Sequence, residues 1–315
     1  MSSPPPSSRL ASTHLPFVTL DVFTSTRYTG NPLAIIHVPG TITLSQTQKQ
    51  RIAREFNLSE TVFLHERTQA DVADHSVRIN IFTPDVELPF AGHPTVGTAN
   101  YLLRLRQHDT SLDGVQALQA KGGRFEVALQ PDGSGVQVSV AHDVHLHGPV
   151  FAPHTDPVIS IVKGVTFILV RLADVEELGS RATNLLDAGS VFTACEKLDE
   201  GWREGLVGTY FFVDQGTGPD GVRNLRTRMF AWCEDPATGS AACALTAYLS
   251  LQEGTAGRYN YKIVQGVEMG QRSEIFVEIG VKKGEMHGTE IEEVLLSGSA
   301  VQVMQGTLEV PGEDD

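Results

Sequence analysis

The chain has few cysteines, no long hydrophobic run and a deficit of positive charge. Only three of its 315 residues are cysteine, and they show neither metal-site spacing nor complete pairing. We therefore interpret them as reduced thiols of a cytoplasmic protein. No apolar stretch approaches the ~18 residues that a membrane helix needs, so a membrane protein is not expected. A net charge of −14, from 24 basic and 38 acidic residues, argues against a nucleic-acid partner.

The rest of the composition is typical of a globular protein, with 41% hydrophobic and 20% charged residues. A chain of this length allows about two domains. Residues 1–16 are rich in Pro and Ser and lack the apolar core of a signal peptide. We expect them to form a disordered tail.

Local patterns predict many strands and few helices. Ser45 and Gln48 form a capping box that predicts a helix ending near Asn57. Two alternating runs joined by Pro131-Asp-Gly133 predict a β-hairpin. With about one long helix in each half, the pattern favours an α+β protein over a parallel α/β sheet.

Two segments, 91–105 and 238–251, resemble each other and follow similar strand, strand and turn patterns. With Gly92 placed on Gly239, the segments also match at Tyr101 with Tyr248 and at Leu102 with Leu249. The shared order of elements predicts a duplicated architecture of two pseudo-symmetric halves, each with one principal helix.

The starts of these two helices are candidate anion-binding sites. Free backbone N–H groups at a helix N-terminus hold carboxylates or phosphates, and Gly92 and Gly239 would let a ligand approach closely. Ser240 follows the second glycine. The alternative is that both helices are central core elements whose small residues serve only close packing.

Three side chains are the candidates for acid–base chemistry there. Glu60 precedes a predicted strand, Asp235 lies four residues before Gly239, and His93 stands at the first helix start, where the helix dipole favours the neutral ring. Each also has a structural interpretation: a solvated strand end for Glu60, a helix cap for Asp235, and a capping donor for His93.

Two other motifs lack the context that their chemistry needs. The segment 216–221 matches the dinucleotide-binding pattern GxGxxG, but a predicted strand follows it instead of a helix, so we interpret it as a turn. Ser240 is not expected to be a hydrolase nucleophile, because Ala242 stands where that motif requires glycine.

A histidine cluster, His142, His145 and His147, comes at the start of the second half. The last two would share one face of a strand. Because no pair of carboxylates or cysteines accompanies them in the sequence, we interpret the cluster as a polar strand end and assign no metal site. Asp199 is expected to cap the segment that follows it.

Taken together, these residues resemble the PhzF-like family of phenazine-biosynthesis-like proteins, relatives of diaminopimelate epimerase. The resemblance lies in five segments: DVFTSTRYTGNPLAII, FNLSETVF, FTPDVELPFAGHPTVGTA, CEDPATGSAACALTAYL and SGSAVQVMQGTLEV. They extend over nearly the whole chain after the N-terminal tail.

The resemblance implies two lobes, each a strongly bent β-sheet around a central helix, with the active site between them. The N-terminal lobe would comprise residues 17–141 and a returning strand at 297–308, and the C-terminal lobe residues 146–296. Members of the family are typically homodimers and use no metal or organic cofactor.

The resemblance also implies a reaction. In the phenazine-pathway members a Glu takes a proton from a cyclic amino-acid substrate and returns it elsewhere, which is an isomerisation. Glu60 matches that Glu, and His93 and Asp235 match residues that hold the substrate and assist the proton. Gly92, Gly239 and Ser240 match the anion-binding helix starts.

This chain departs from the epimerase branch, which places one cysteine at each helix start. Ala91 and Pro236 stand near those places here, so a two-thiol racemase is not expected. The leading interpretation is a cofactor-independent isomerase of a small carboxylate-bearing substrate. An amino-acid epimerase using Glu60 with another base, and a non-enzymatic binding protein, are the alternatives.

Overall fold

In a computed structural model, residues 13–151, 153, 155–284 and 288–312 are described. Sheet dominates this part of the chain, and the helices are few, so the predicted α+β class is confirmed. Within the same residues, no helix combines the length and the apolar character needed to cross a membrane.

The strands are numbered in chain order. They are β1 His14–Val22, β2 Asn31–Val38, β3 Thr61–His65, β4 Ser76–Phe82, β5 Glu87–Leu88, β6 Ala117–Ala120, β7 Gly123–Leu129, β8 Val136–Ser139, β9 His145–His147, β10 Val158–Val162, β11 Val165–Arg171, β12 Leu206–Thr217, β13 Val222–Phe230, β14 Glu234–Asp235, β15 Gly257–Gln265, β16 Ser273–Lys283, β17 Thr289–Gly298 and β18 Ala300–Glu309.

The helices are numbered in the same way. They are α1 Gln46–Phe56, α2 Gln69–Ala73, α3 Gly92–Asn100, α4 Val175–Ser180 and α5 Gly239–Gln252. A π-helical turn, Tyr101–Leu105, continues α3, and short 3₁₀ turns occur at Thr110–Leu112, Ala188–Ser190 and Ala194–Lys197.

Helix α1 forms as its sequence predicts. The Ser45 side chain accepts a hydrogen bond from the Gln48 backbone N–H at 3.2 Å. The Gln48 side chain in turn accepts one from the Ser45 backbone N–H at 2.9 Å, which completes the capping box. Asn57 ends the helix with a left-handed backbone, at φ 49°.

The first strand begins earlier than the predicted end of the N-terminal tail. Strand β1 starts at His14 and pairs antiparallel with β18 from the His14–Glu309 pair onward. Leu15 is fully buried among apolar residues of β2, α1 and β3. Residues 14–16 are therefore part of the sheet, because pairing with the end of the chain and burial of Leu15 stabilise them there. The tail before Thr13 lies outside the described residues.

The same series of strand pairings occurs in both halves of the chain. From β1 to β4 the pairings are antiparallel, parallel and antiparallel, and β4 then pairs parallel with β6. Strands β10, β11, β12, β13 and β15 repeat this series. In each half, a two-residue strand (β5 or β14) precedes the principal helix (α3 or α5).

The two halves also exchange strands. Strand β8 pairs with β17, while β18 returns from the end of the chain to pair with β1. Strand β9, which follows the first half, pairs with β10 of the second. The sheets are thus joined by hydrogen bonds, and the position of each principal helix relative to the other is fixed by shared strands.

Helices α3 and α5 are buried on nearly all sides, as expected of a helix surrounded by sheet. Every residue of α3 is buried. A Cβ atom added to Gly97 would lie 2.5 Å from Leu33 and 2.8 Å from Val22, so only glycine allows α3 to pack this closely on β1 and β2.

The segment with the GxGxxG pattern is a hairpin turn, as predicted. It joins the antiparallel strands β12 and β13. Gly216 and Gly221 have φ values of 85° and 80°, a backbone conformation that favours glycine. The glycines of this motif therefore serve the turn.

Candidate active site

Helices α3 and α5 meet at their first residues. A Cβ atom added to Gly92 would lie 3.2 Å from the Cα atom of Gly239 and 3.1 Å from the side chain of Leu296, which comes from β17. Leu296 also lies against Gly239. The glycines are thus needed for packing, and that same packing brings the two helix starts together.

These two helix starts differ from the others in their caps. Side chains of Ser45, Thr68 and Asp174 accept hydrogen bonds from the first turns of α1, α2 and α4. At α3 and α5, the N-cap residues Ala91 and Thr238 make no such bond. The first-turn N–H groups of α3 and α5 therefore receive no hydrogen bond from an N-cap side chain, which suits them to bind an anion.

Glu60 and His93 lie side by side. Glu60 immediately precedes β3, and His93 is the second residue of α3. A Glu60 carboxylate oxygen lies 3.2 Å from Nδ1 of His93, and the two side chains are 17% and 5% exposed. The other ring nitrogen of His93, Nε2, is buried and makes no hydrogen bond of normal geometry.

Burial sets the protonation of this pair. It raises the pKa of Glu60 to about 7, against a smaller opposing effect of a hydrogen bond with Ser59. Burial also lowers the pKa of His93 to about 4, although the charge of Asp235 opposes that change. Near neutral pH the imidazole is therefore uncharged, and Glu60 is divided between its acid and carboxylate forms.

Asp235, from β14, is held by residues of both halves. One carboxylate oxygen accepts a hydrogen bond from the Asn31 amide at 2.8 Å, and the other accepts one from the Thr238 hydroxyl at 2.5 Å. The same Asn31 nitrogen donates to the Ala237 carbonyl at 3.0 Å. Burial, and secondarily the charge of Glu60, raise the pKa of Asp235 to about 6.

A buried amide supports this arrangement from the second half. The Gln265 side chain donates to the Asp235 carbonyl at 2.7 Å and to the Thr238 hydroxyl at 3.0 Å. Its own oxygen accepts a hydrogen bond from Tyr210 at 3.0 Å. The Thr238 hydroxyl is thus engaged by Asp235 and Gln265, which explains why it does not cap α5.

The structure therefore brings the sequence-predicted residues into one region. Glu60 and His93 are in contact, the charges of both act on Asp235, and Gly92 lies against Gly239. Ser240 follows Gly239 in the first turn of α5 and is partly exposed.

Asn31 is a functional residue that the sequence does not single out. In the structure Asn31 is the first residue of β2, is 1% exposed and joins the two halves through Asp235. Gly30 before it has φ of 74° and turns the chain. No local pattern marks Asn31, because its partners lie about two hundred residues away in sequence.

The cysteines offer no opposed pair of thiolates. Cys243 is fully buried within α5, and burial raises the pKa of its thiol to about 12. Cys233 is an exposed residue, but partial desolvation of its thiol and the charge of Asp235 raise the pKa of that thiol as well. A thiol with a raised pKa is a poor acid–base catalyst at neutral pH.

The structure corrects the interpretation of the histidine cluster. Asp199 was expected to cap the following segment, but residues 199–202 form a turn, with the Trp202 N–H bonded to the Asp199 carbonyl at 3.0 Å. The Asp199 carboxylate instead lies 2.8 Å from Nε2 of His145. A loop that is distant in sequence therefore supplies a carboxylate to His145.

Comparison with known proteins identifies the family. The model of the phenazine biosynthesis-like protein family matches residues 20–306, so the chain belongs to this family. An uncharacterized isomerase of Mesorhizobium japonicum is 32% identical, and the alignment covers 93% of this chain and 98% of that protein.

Two further relatives extend the comparison to a named reaction and to a solved structure. The trans-2,3-dihydro-3-hydroxyanthranilate isomerase of Pseudomonas aeruginosa is 29% identical over 92% of this chain and 98% of that protein. A PhzF-family phenazine biosynthesis protein of Bacillus anthracis has the same fold, with a TM-score of 0.66, 18% identity, and coverage of 94% of this chain and 99% of that chain.

Proposed function

We propose that the protein is an isomerase that moves a proton on a small carboxylate-bearing substrate, with Glu60 as the general acid and base. The observation that carries the proposal is the position of Glu60, buried against the neutral His93, with a pKa of about 7. The named isomerases among its relatives support the same class of reaction.

A residue that takes a proton and then returns it works best with a pKa near the working pH. In the proposed reaction the Glu60 carboxylate takes a proton from a carbon atom, and the C–H electron pair moves into the unsaturated system of the substrate. The resulting Glu60 acid, whose proton exchanges with solvent, then delivers a proton to a different carbon. Proton and charge balance without a cofactor.

His93 and Asp235 are proposed to hold the substrate and assist the transfer. The neutral imidazole of His93 has one nitrogen against Glu60, its ring also interacts with the Pro32 backbone carbonyl, and its buried Nε2 makes no hydrogen bond of normal geometry. A substrate hydroxyl, amine or carboxylate group would give this nitrogen the hydrogen bond that buried polar atoms normally make. Asp235, fixed by Asn31 and Thr238, would act on a substrate amine or a second proton.

The substrate carboxylate is proposed to bind at the starts of α3 and α5. Gly92, Gly239 and Ser240 supply first-turn N–H groups without a capping side chain, and the two starts are adjacent. Each helix dipole contributes roughly 0.3–1 kcal/mol to binding an anion at its N-terminus, and more in a partly buried site.

We also propose a two-lobe arrangement of the chain and a homodimer. Residues 17–141 with the returning strand form one lobe and residues 146–296 the other, and the active site lies between them. The repeated pairing series and the origin of Glu60 and Asp235 in different halves support this division. The family resemblance adds a homodimer in which each chain carries its own site.

Deuterium exchange in D₂O over a panel of cyclic and acyclic carboxylates tests the proposal. The panel includes trans-2,3-dihydro-3-hydroxyanthranilate, because a relative is named for it. Deuterium incorporation with a shifted double bond identifies an isomerase. Incorporation with inverted configuration identifies an epimerase, and binding without exchange identifies a binding protein; either result would replace the proposed function.

A further inference from the structure

The histidines of β9 form a second polar cluster, outside the proposed active site. His145, His147 and Asp199 each offer one ligand atom, and these atoms all lie within 4.8 Å of one another. Nε2 of His145 lies 2.8 Å from a carboxylate oxygen of Asp199, and Nδ1 of His147 lies 3.5 Å from the same oxygen.

These separations are close to those around a metal ion. A tetrahedral Zn²⁺ with bonds of about 2.0–2.1 Å holds its ligand atoms about 3.3–3.4 Å apart. Small side-chain rotations would therefore place the three atoms around one ion. Imidazole and carboxylate ligands suit Zn²⁺ among the divalent metals, and three protein ligands leave a position for water.

The orientation of His147 is already fixed as it is in metal sites. Its Nε2 lies 2.9 Å from the Ser160 hydroxyl, which in turn lies 2.6 Å from the Thr166 hydroxyl, and all three residues are buried. With Nε2–H donated to Ser160, the lone pair of Nδ1 points to Asp199. Metal-ligating histidines commonly hold their second nitrogen in this way. The Asp199 N–H approaches the same Nδ1 at 3.4 Å, a long contact that a metal bond would replace.

Trp202 holds the two imidazole rings from one side. Its indole stacks on His145 with ring centres 4.6 Å apart and meets His147 edge-on at 6.0 Å. Ring positions fixed by packing lower the entropic cost of gathering ligands around an ion. The tryptophan also places a fluorescent group beside the cluster.

We propose that His145, His147 and Asp199 form a zinc-binding site that joins β9 to the loop at residues 199–202. The ion would link the first strand after the first half of the chain to a loop of the second half, and a water molecule would complete its coordination. The site does not depend on the isomerase chemistry proposed for Glu60.

Titration of tag-free, metal-stripped protein with ZnCl₂ in a calorimeter tests this site. We expect one Zn²⁺ per chain and at least tenfold weaker binding in Asp199→Asn and His145→Gln, whose side chains are partly exposed and are not needed for the core. The matched controls are Asp143→Asn and His142→Ala, on the loop just before β9, and both should bind as wild type does. No binding at millimolar ZnCl₂, or equal binding by all variants, would overturn the proposal.

Fluorescence locates the ion independently. Co²⁺ bound at this site should quench Trp202, and Zn²⁺ should prevent that quenching. The chain has two tryptophans, so Trp202→Phe leaves Trp232 as the remaining emitter. We expect the saturable quenching to disappear in Trp202→Phe. Unchanged saturable quenching in that variant would place the metal elsewhere and refute the assignment.

Discussion

Replacing Glu60 with Gln should stabilise the protein at alkaline pH, because it removes a buried charge. The pKa of Glu60 is about 7 in the folded protein against an ordinary value of 4.5. Its contribution to the free energy of unfolding is therefore fully present below pH 4.5 and is lost as the pH rises through 7. Gln mimics the protonated acid at every pH and does not suffer that loss.

The magnitude follows from the two pKa values. At about 1.36 kcal/mol per pKa unit, the change from 4.5 to about 7 corresponds to about 3 kcal/mol. The raised pKa of Asp235 gives a loss of the same sign, and the lowered pKa of His93 gives a loss on the acid side. Both residues remain in the variant, so their contributions largely cancel in the difference from wild type.

Urea unfolding at pH 5 and pH 8, followed by circular dichroism, measures this difference. The stability of Glu60→Gln relative to wild type should increase by about 2–3 kcal/mol between the two pH values, because a small part of the loss has already occurred at pH 5. Glu55→Gln is the matched control, since Glu55 is an exposed residue of α1, and its relative stability should not change with pH. If the relative stability of Glu60→Gln is the same at both pH values, the carboxyl group is not desolvated as described.

Three further perturbations test the packing and the site. Gly97→Ala should lower the unfolding free energy by about 1–3 kcal/mol, because its methyl group would overlap Leu33 and Val22. Gly179→Ala in α4 is the control, because no atom lies near the added methyl group, and it should be neutral or slightly stabilising. Equal effects of the two substitutions in urea unfolding would contradict the described packing of Gly97. Asn31→Ala should cost about 1–3 kcal/mol and weaken proton exchange, because Asp235 and the Ala237 carbonyl lose a buried donor; unchanged stability and exchange would show that this contact is dispensable. Crystals soaked in sulfate should show the anion at the first turns of α3 and α5, and sulfate bound only elsewhere would count against the proposed carboxylate site.

The features that the sequence predicts correctly are those that depend on residues close together in the chain. The α1 capping box requires only Ser45 and Gln48, three residues apart, and the turn at residues 216–221 requires glycines at positive φ. Strands β15 and β17 were not predicted, although β17 supplies Leu296 between the two helix starts. The pairing partners of these two strands are set by the fold.

The candidate site depends on contacts that no local pattern encodes. Glu60 and His93 are predicted from the family resemblance, but their 3.2 Å contact follows from the packing of β3 beside α3. Asn31 and Asp235 meet because strands of the two halves interleave. His147 and Asp199 are likewise distant in sequence and become neighbours only in the folded chain. Long-range pairing therefore determines which of many polar residues become neighbours.

Deuterium incorporation into a verified substrate tests most directly whether Glu60 carries the proton. Glu60→Gln should bind that substrate with unchanged affinity and exchange at least ~10²-fold more slowly than wild type, as expected when a general base is lost. Glu55→Gln should exchange at the wild-type rate. Exchange by Glu60→Gln at the wild-type rate, together with its loss in His93→Ala, would contradict the account and assign the base to His93.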